Sequence, residues 1–287
     1  MDTNINSNGK NEVIQIDVEG LIGSKNPKLL KIIPRFILKY IKRVIHQNEI
    51  NDFLRKNNDV YNLDFANNIL KMFNTSIKIV GEENIPRDGN PIIVSNHPLG
   101  GLDGIALIST VGKYRNDLVF PVNDLLLYLR NLNGIFLPIN KHGRNTSDAV
   151  REFDNAFASK ENALLYFPAG LCSRKIKGKI VDLEWKKTVI TKAKKYQREI
   201  IPVHFEGRNR KFFYNLANIR KFLGIKANIE MLYLPDEMYH QYNKTFTITF
   251  GKPIPASTFT REKTDAEWAT WLKGEVYKLK KNPTSER

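Results

Sequence analysis

The chain has one cysteine, Cys172, among 287 residues, so no internal disulfide can form and a disulfide-framed miniprotein is excluded. It also lacks any apolar run near the roughly 18 residues that span a bilayer, because Lys or Arg interrupts every candidate. Residues 1–11 are polar and Asn-rich, unlike a secretory leader, which sets the expectation of a cytoplasmic protein. There is no Gly-x-Ser-x-Gly elbow, no phosphate loop ending in Lys-Ser or Lys-Thr, and no dinucleotide fingerprint, so hydrolase, kinase and dehydrogenase readings lose their usual support. His46, His142 and His204 have no metal-ligand spacing with an acidic or thiol partner, and no metal site is expected.

Acidic residues are scarce: 30 face 45 basic ones, a net charge of +15. That balance favours an anionic partner, whether nucleic acid, a bilayer surface or an acidic protein. With 41% hydrophobic and 26% charged residues, the chain can bury a full core and is not disordered.

Between Glu19 and Glu49 there is no acidic residue at all, while Lys25, Lys28, Lys31, Arg35, Lys39, Lys42 and Arg43 fall there. Leu29, Ile32, Ile33, Phe36, Ile37, Tyr40, Ile41, Val44 and Ile45 recur at three- and four-residue steps, and Pro34 suits a first helical turn. The pattern predicts a basic amphipathic helix that either buries its apolar side among acyl chains or faces an ordinary core. A second helix is expected over 60–73.

Beyond residue 77, short apolar runs at 77–80, 91–95, 118–122, 135–139, 163–167, 200–205, 229–234 and 246–250 read as strands. Helical patterns lie between them at 104–111, 124–132, 147–159, 182–196 and 208–222. This alternation predicts an α/β fold with a mostly parallel central sheet covered by helices. A last helix starts near Thr264, which has capping-box spacing to Glu267. Two regions follow: an N-terminal tail and basic amphipathic helices over 1–76, and an α/β domain over 77–287. Trp185, Phe212, Phe213, Tyr214 and Phe222 sit at helical spacings and are expected to pack inside.

The segment Ser95-Asn96-His97-Pro98-Leu99-Gly100-Gly101-Leu102-Asp103-Gly104 ends a strand and opens a helix, where sites assemble in parallel sheets. A neutral His can take a proton from a hydroxyl, and a carboxylate on its other nitrogen fixes the tautomer and stabilises the imidazolium. His97 and Asp103 supply those parts. On this segment alone, Asp103 reads equally well as a plain helix cap and His97 as a turn histidine.

Three later segments join it. Gly134-Ile135-Phe136-Leu137-Pro138-Ile139-Asn140-Lys141 with Arg144, then Phe167-Pro168-Ala169-Gly170-Leu171-Cys172-Ser173-Arg174, then Ile201-Pro202-Val203 follow in order. Taken together over about residues 77 to 255, the four blocks resemble those of the glycerolipid and lysophospholipid acyltransferase superfamily. The family's Asn-His is followed by an acidic residue five positions after the His; here Asp103 lies six positions on, with Gly100-Gly101 to absorb the extra residue. The family's third block carries a Glu where this chain has Ala169, and its Arg falls on Cys172, with Arg174 close behind. Those departures, beside Lys175, Lys177 and Lys179, point to the branch often called hemolysin-like, acting on lyso-ornithine or lyso-glycine lipids.

The resemblance implies an enzyme of membrane lipid biosynthesis that moves an acyl chain from an acyl carrier protein or coenzyme A thioester to a lyso-lipid hydroxyl, with no bound cofactor. His97 would act as the base and Asp103 would orient it. Asn96, Gly100, Gly101, Asn140, Lys141, Arg144, Phe167, Pro168, Gly170, Ser173 and Arg174 would line the substrate site. Backbone N–H groups near Gly100 or Gly170 would face the oxyanion. A peripheral position on the cytoplasmic face of the inner membrane follows. The alternatives are a lysophosphatidic acid acyltransferase and, outside enzymes, a basic nucleic-acid-binding protein supported only by net charge.

Overall fold

The computed structural model describes residues 15–122, 129–139 and 146–280. Among the described residues five helices come first: α1 (Val18–Lys25), α2 (Pro27–Ile32), α3 (Arg35–Val44), α4 (Gln47–Lys56) and α5 (Asn62–Met72). Then follow β1 (Ser76–Val80), β2 (Ile92–Ser95), α6 (Leu102–Val111), β3 (Leu118–Val122), β4 (Phe136–Pro138), α7 (Thr146–Ala158) and β5 (Ala163–Tyr166). A hairpin of β6 (Arg174–Ile176) and β7 (Lys179–Val181) leads to α8 (Thr188–Tyr196) and β8 (Ile200–Phe205). The chain continues through α9 (Lys211–Phe222), α10 (Leu234–Tyr239), β9 (Thr245–Phe250) and α11 (Asp265–Lys278).

Seven strands form one sheet in the order β1-β9-β8-β2-β5-β3-β4, parallel throughout except where β8 meets β9. The expected α/β architecture is therefore present. The central strands β2, β5 and β8 are buried at every position because both faces are covered. Ile93, Leu165 and Ile201 pack with Phe65, Leu70, Leu102 and Leu107 of α5 and α6. Their neighbours Ile92, Leu164 and Ile200 point the other way, onto Phe157, Val189, Ile190, Trp268 and Leu272 of α7, α8 and α11. The capping box at Thr264 and Glu267 opens α11 as predicted.

Arg198, fully buried just before β8, donates to the carbonyls of Asn90, Pro91, Ala156, Phe157, Ser159 and Asn162. It thereby ties the end of α7 to the starts of β2 and β5. Burial holds its guanidinium down to about 10, still a cation at neutral pH.

Several elements depart from expectation for identifiable reasons. The N-terminal basic helix is broken in two, because Pro34 has no N–H to continue α2 and instead precedes α3. The expected strand at 229–234 is a 3-10 turn over Ile229–Tyr233 leading into α10, since Glu230 is drawn inside by Arg174 and Arg220. The helix expected from 182 begins only at Thr188, after the β6–β7 hairpin and a loop held by side-chain bonds. Of the helix expected at 124–132, residues 124–128 lie outside the described residues, and Arg130–Leu132 form a 3-10 turn. Phe212 and Phe222 are exposed, whereas Trp185, Phe213 and Tyr214 are buried as expected.

Burial pushes the His204 imidazole in β8 down to about 4, with Lys280 acting in the same direction. The unfolded chain takes up that proton near 6.5, so this group's contribution is complete above pH 6.5 and is lost as pH falls to about 4. The loss is on the order of 3 kcal/mol. His204→Gln should flatten the urea-unfolding stability curve between those pH values by about that amount, and an unchanged slope would place the acid sensitivity elsewhere.

Candidate active site

β2 lies between β5 and β8 and delivers Asn96 and His97 at its C-terminal end. Asp103 stands in the first turn of α6 with no solvent exposure. Its Oδ2 accepts from His97 Nδ1 at 2.9 Å, from the Leu99 N–H at 2.9 Å and from the Gly100 N–H at 3.4 Å. Its Oδ1 accepts from the N–H groups of Gly101 at 3.1 Å and Gly104 at 3.0 Å. Burial alone would raise this carboxyl, but the facing His97 and the backbone N–H groups of Leu99 and Gly104 together hold it below the ordinary carboxylate range.

A carboxylate can only accept, so His97 Nδ1 carries the proton and the lone pair lies on Nε2. The ring stacks on Phe167 with centroids 4.1 Å apart, and the side chain retains partial exposure. This arrangement can take a proton from a hydroxyl at Nε2 and stabilise the resulting imidazolium.

Gly100 makes the tight turn possible. Its φ of +82° is left-handed, and a Cβ there would lie 2.8 Å from Leu234 of α10.

The other expected site residues divide. Asn96 is buried and clamps β8, its Nδ2 donating to the Phe205 carbonyl at 2.9 Å and its Oδ1 accepting from the Phe205 N–H at 2.7 Å. Both polar ends of that side chain are thus engaged away from any substrate. Arg174, expected to meet a head group, is buried: it pairs with Glu230 at 2.9 Å and donates to the Cys172 carbonyl at 2.7 Å. Ser173 is buried, and its hydroxyl donates to Asp182 at 2.6 Å. Pro168 is buried as well, so of the residues expected there Phe167 and Gly170 keep some exposure. The Gly170 N–H donates to the Phe167 carbonyl and the Gly100 N–H faces Asp103, so neither is a free oxyanion donor. Asn140, Lys141 and Arg144 lie outside the described residues. Burial pushes the Cys172 thiol up to about 11, against the opposing pull of Arg174, so it stays protonated at neutral pH.

Two residues went unnoticed in the sequence. Asp182 is buried behind the dyad: its Oδ1 accepts from the His97 N–H at 3.2 Å and its Oδ2 from Trp185 Nε1 at 2.9 Å. Ser173 completes the link, its N–H donating to the His97 carbonyl at 2.7 Å. Lys186 is exposed, with its backbone N–H on the Pro168 carbonyl and its ammonium 3.3 Å from where a Cβ on Gly170 would stand. No spacing rule singles out either one.

A family model described as Acyltransferase matches residues 20–284. The chain belongs to that acyltransferase family. A lyso-glycine lipid O-acyltransferase from Bacteroides thetaiotaomicron is 48% identical over 92% of this acyltransferase and 97% of its own length. A lyso-glycine lipid O-acyltransferase from Phocaeicola vulgatus is 47% identical over 97% of this chain and all of its own. Among solved structures, the 1-acyl-sn-glycerophosphate (LPA) acyltransferase PlsC of Thermotoga maritima aligns at 19% identity with a TM-score of 0.47, covering 87% of this chain and 91% of that one.

In this acyltransferase, His97→Ala should lower turnover by about 10³-fold with the fold intact, because the ring is stacked at a strand end and not embedded in the core. Near-normal turnover in a folded variant would remove His97 from the chemistry. Asp182→Ala should lower kcat by about tenfold by loosening the His97 backbone, and cost about 1–3 kcal/mol by orphaning buried donors. Asp182→Asn, which keeps one acceptor oxygen, should recover part of the kcat loss; no difference between the two would show that Asp182 serves stability alone.

Proposed function

We propose that this enzyme transfers a fatty acyl chain from an acyl thioester to the hydroxyl of a lyso-glycine lipid. The observation that carries the acceptor is the near half identity to two proteins of that name over almost their whole lengths. The His97–Asp103 pair supplies the chemistry. His97 Nε2 takes the hydroxyl proton as the oxygen attacks the thioester carbonyl carbon. The tetrahedral intermediate collapses with loss of the C–S bond, and the thiolate leaves with the proton returned from His97. Asp103 keeps the proton on Nδ1 in the resting state and offsets the charge of the imidazolium.

The head-group turn fits a carboxylate-bearing acceptor. Ala169 adds no negative charge beside it, Arg174 is neutralised by Glu230, and Lys186 presents a cation at Gly170 with no ion pair among the described residues. The donor is acyl carrier protein or coenzyme A, both anionic and suited to a chain of charge +15. No helix among the described residues is long and apolar enough to cross a membrane. On this reading the enzyme works peripherally on the cytoplasmic face of the inner membrane. The exposed apolar residues of α2 and α3, with their lysines, rest on lipid.

The test is competition between acceptors with one thioester donor. Purified enzyme should favour lyso-glycine lipid over lysophosphatidic acid by about tenfold or more in kcat/KM. Methyl-esterifying the glycine carboxylate, or Lys186→Gln, should erase most of that advantage through KM. A preference for lysophosphatidic acid would overturn the proposal in favour of phosphatidic acid synthesis.

A further inference from the structure

A second stretch without acidic residues runs between Glu206 and Glu230 and forms α9 and the turn after it. Phe222 is 89% exposed, Leu223 62% and Ile219 56%. Ile219 and Leu223 follow Phe212 by seven and eleven residues, which on a helix of 3.6 residues per turn places all three on one stripe. The helix ends at Gly224, whose φ of +70° turns the chain so that the Ile225 N–H reaches back to the Arg220 carbonyl, and Ile225 is itself 40% exposed.

The charges divide in the same way. Arg210 pairs with Asp236 and Glu237, and Arg220 with Glu230. Lys221 and Lys226, flanking the apolar end, are exposed and have no ion pair among the described residues. The stripe is continuous with α3 at its other end: the Phe212 ring meets Tyr233 edge-on at 4.9 Å, and the Tyr233 hydroxyl lies 3.0 Å from that of Tyr40.

We propose that the end of α9 is a second membrane-inserting edge, which with α3 seats the enzyme on an anionic bilayer in one fixed orientation. Apolar side chains enter the acyl boundary while Lys221 and Lys226 meet lipid phosphates. A protruding Phe and Leu ringed by lysines, with no carboxylate in 23 consecutive residues, match such a surface in both polarity and charge. The proposal rests on the reading that the acceptor is a membrane lipid.

The test is flotation of the full chain with phosphatidylcholine vesicles containing phosphatidylglycerol. The double variant Phe222→Ser, Leu223→Ser should bind about tenfold or more weakly, while its turnover on detergent-dispersed acceptor stays at the wild-type value. In Phe222→Trp, emission should shift to the blue on anionic vesicles. Unchanged vesicle affinity in the double variant, or no shift in a vesicle-bound Trp variant, would overturn the proposal. A lipid-free wild-type dimer that the double variant dissolves would also overturn it and assign the stripe to a second copy. Flotation needs no acyl transfer, so failure to acylate lyso-glycine lipid would sink the proposed function and leave this result standing.

Discussion

A carboxylate withdrawn from water must be solvated by the protein, and that requirement at Asp103 shapes the loop between β2 and α6. Five donors converge on it: four backbone N–H groups and the ring of His97. Four of these could be met by any polar turn at a helix start, where the N–H groups are unpaired. The fifth needs His97 brought back over the carboxylate, which requires the left-handed step at Gly100. The interval of six residues between His and Asp is therefore compatible with a closed dyad. The extra residue lengthens a loop whose N–H groups wrap the carboxylate, and the ring still reaches Oδ2 at 2.9 Å.

The loop is held from three sides. Asn96 ties it to β8, Asp182 grips its backbone from below, and α10 closes over Gly100 and Gly101 through Leu234 and Met238. α10 in turn receives the N-terminal helices, since His46 lies 3.0 Å from Asp236 and stacks on Tyr239. The N-terminal helices and the His97 ring are thus joined through one short helix, which fixes the geometry between them.

The basic excess divides by residue type. Arg115, Arg174 and Arg198 are buried and bind carboxylates or carbonyls, as planar guanidinium groups with five donors do well. Most lysines stay exposed, where their stems cover apolar area and their heads stay hydrated, while the half-buried Lys273 donates to the carbonyls of Asp182 and Leu183. Part of the basic charge therefore cements the fold, while Arg35 and Lys39 on α3 and Lys221 and Lys226 around the end of α9 are exposed with no ion pair among the described residues.

The strands of the seven-stranded sheet, the capping box of α11 and the pairing of His97 with Asp103 are local patterns, set by neighbours within a few residues, and for that reason could be read from the chain alone. So could the order of the four blocks, because each is a short run of residue types. Arg174 looked like a free cation because Glu230, its partner, lies 56 residues away, and Asp182 carried no signal because it meets His97 across 85 residues. The stripe on α9 shows the same limit. Periodicity identifies an apolar face but not what covers it, and only the packing of the sheet decides that Phe213 turns inward while Phe222 faces solvent. Sequence by itself determined the layers and the pairing of His97 with Asp103; tertiary structure decided which charges are neutralised and which apolar faces stay open, because both depend on contacts between segments far apart in the chain.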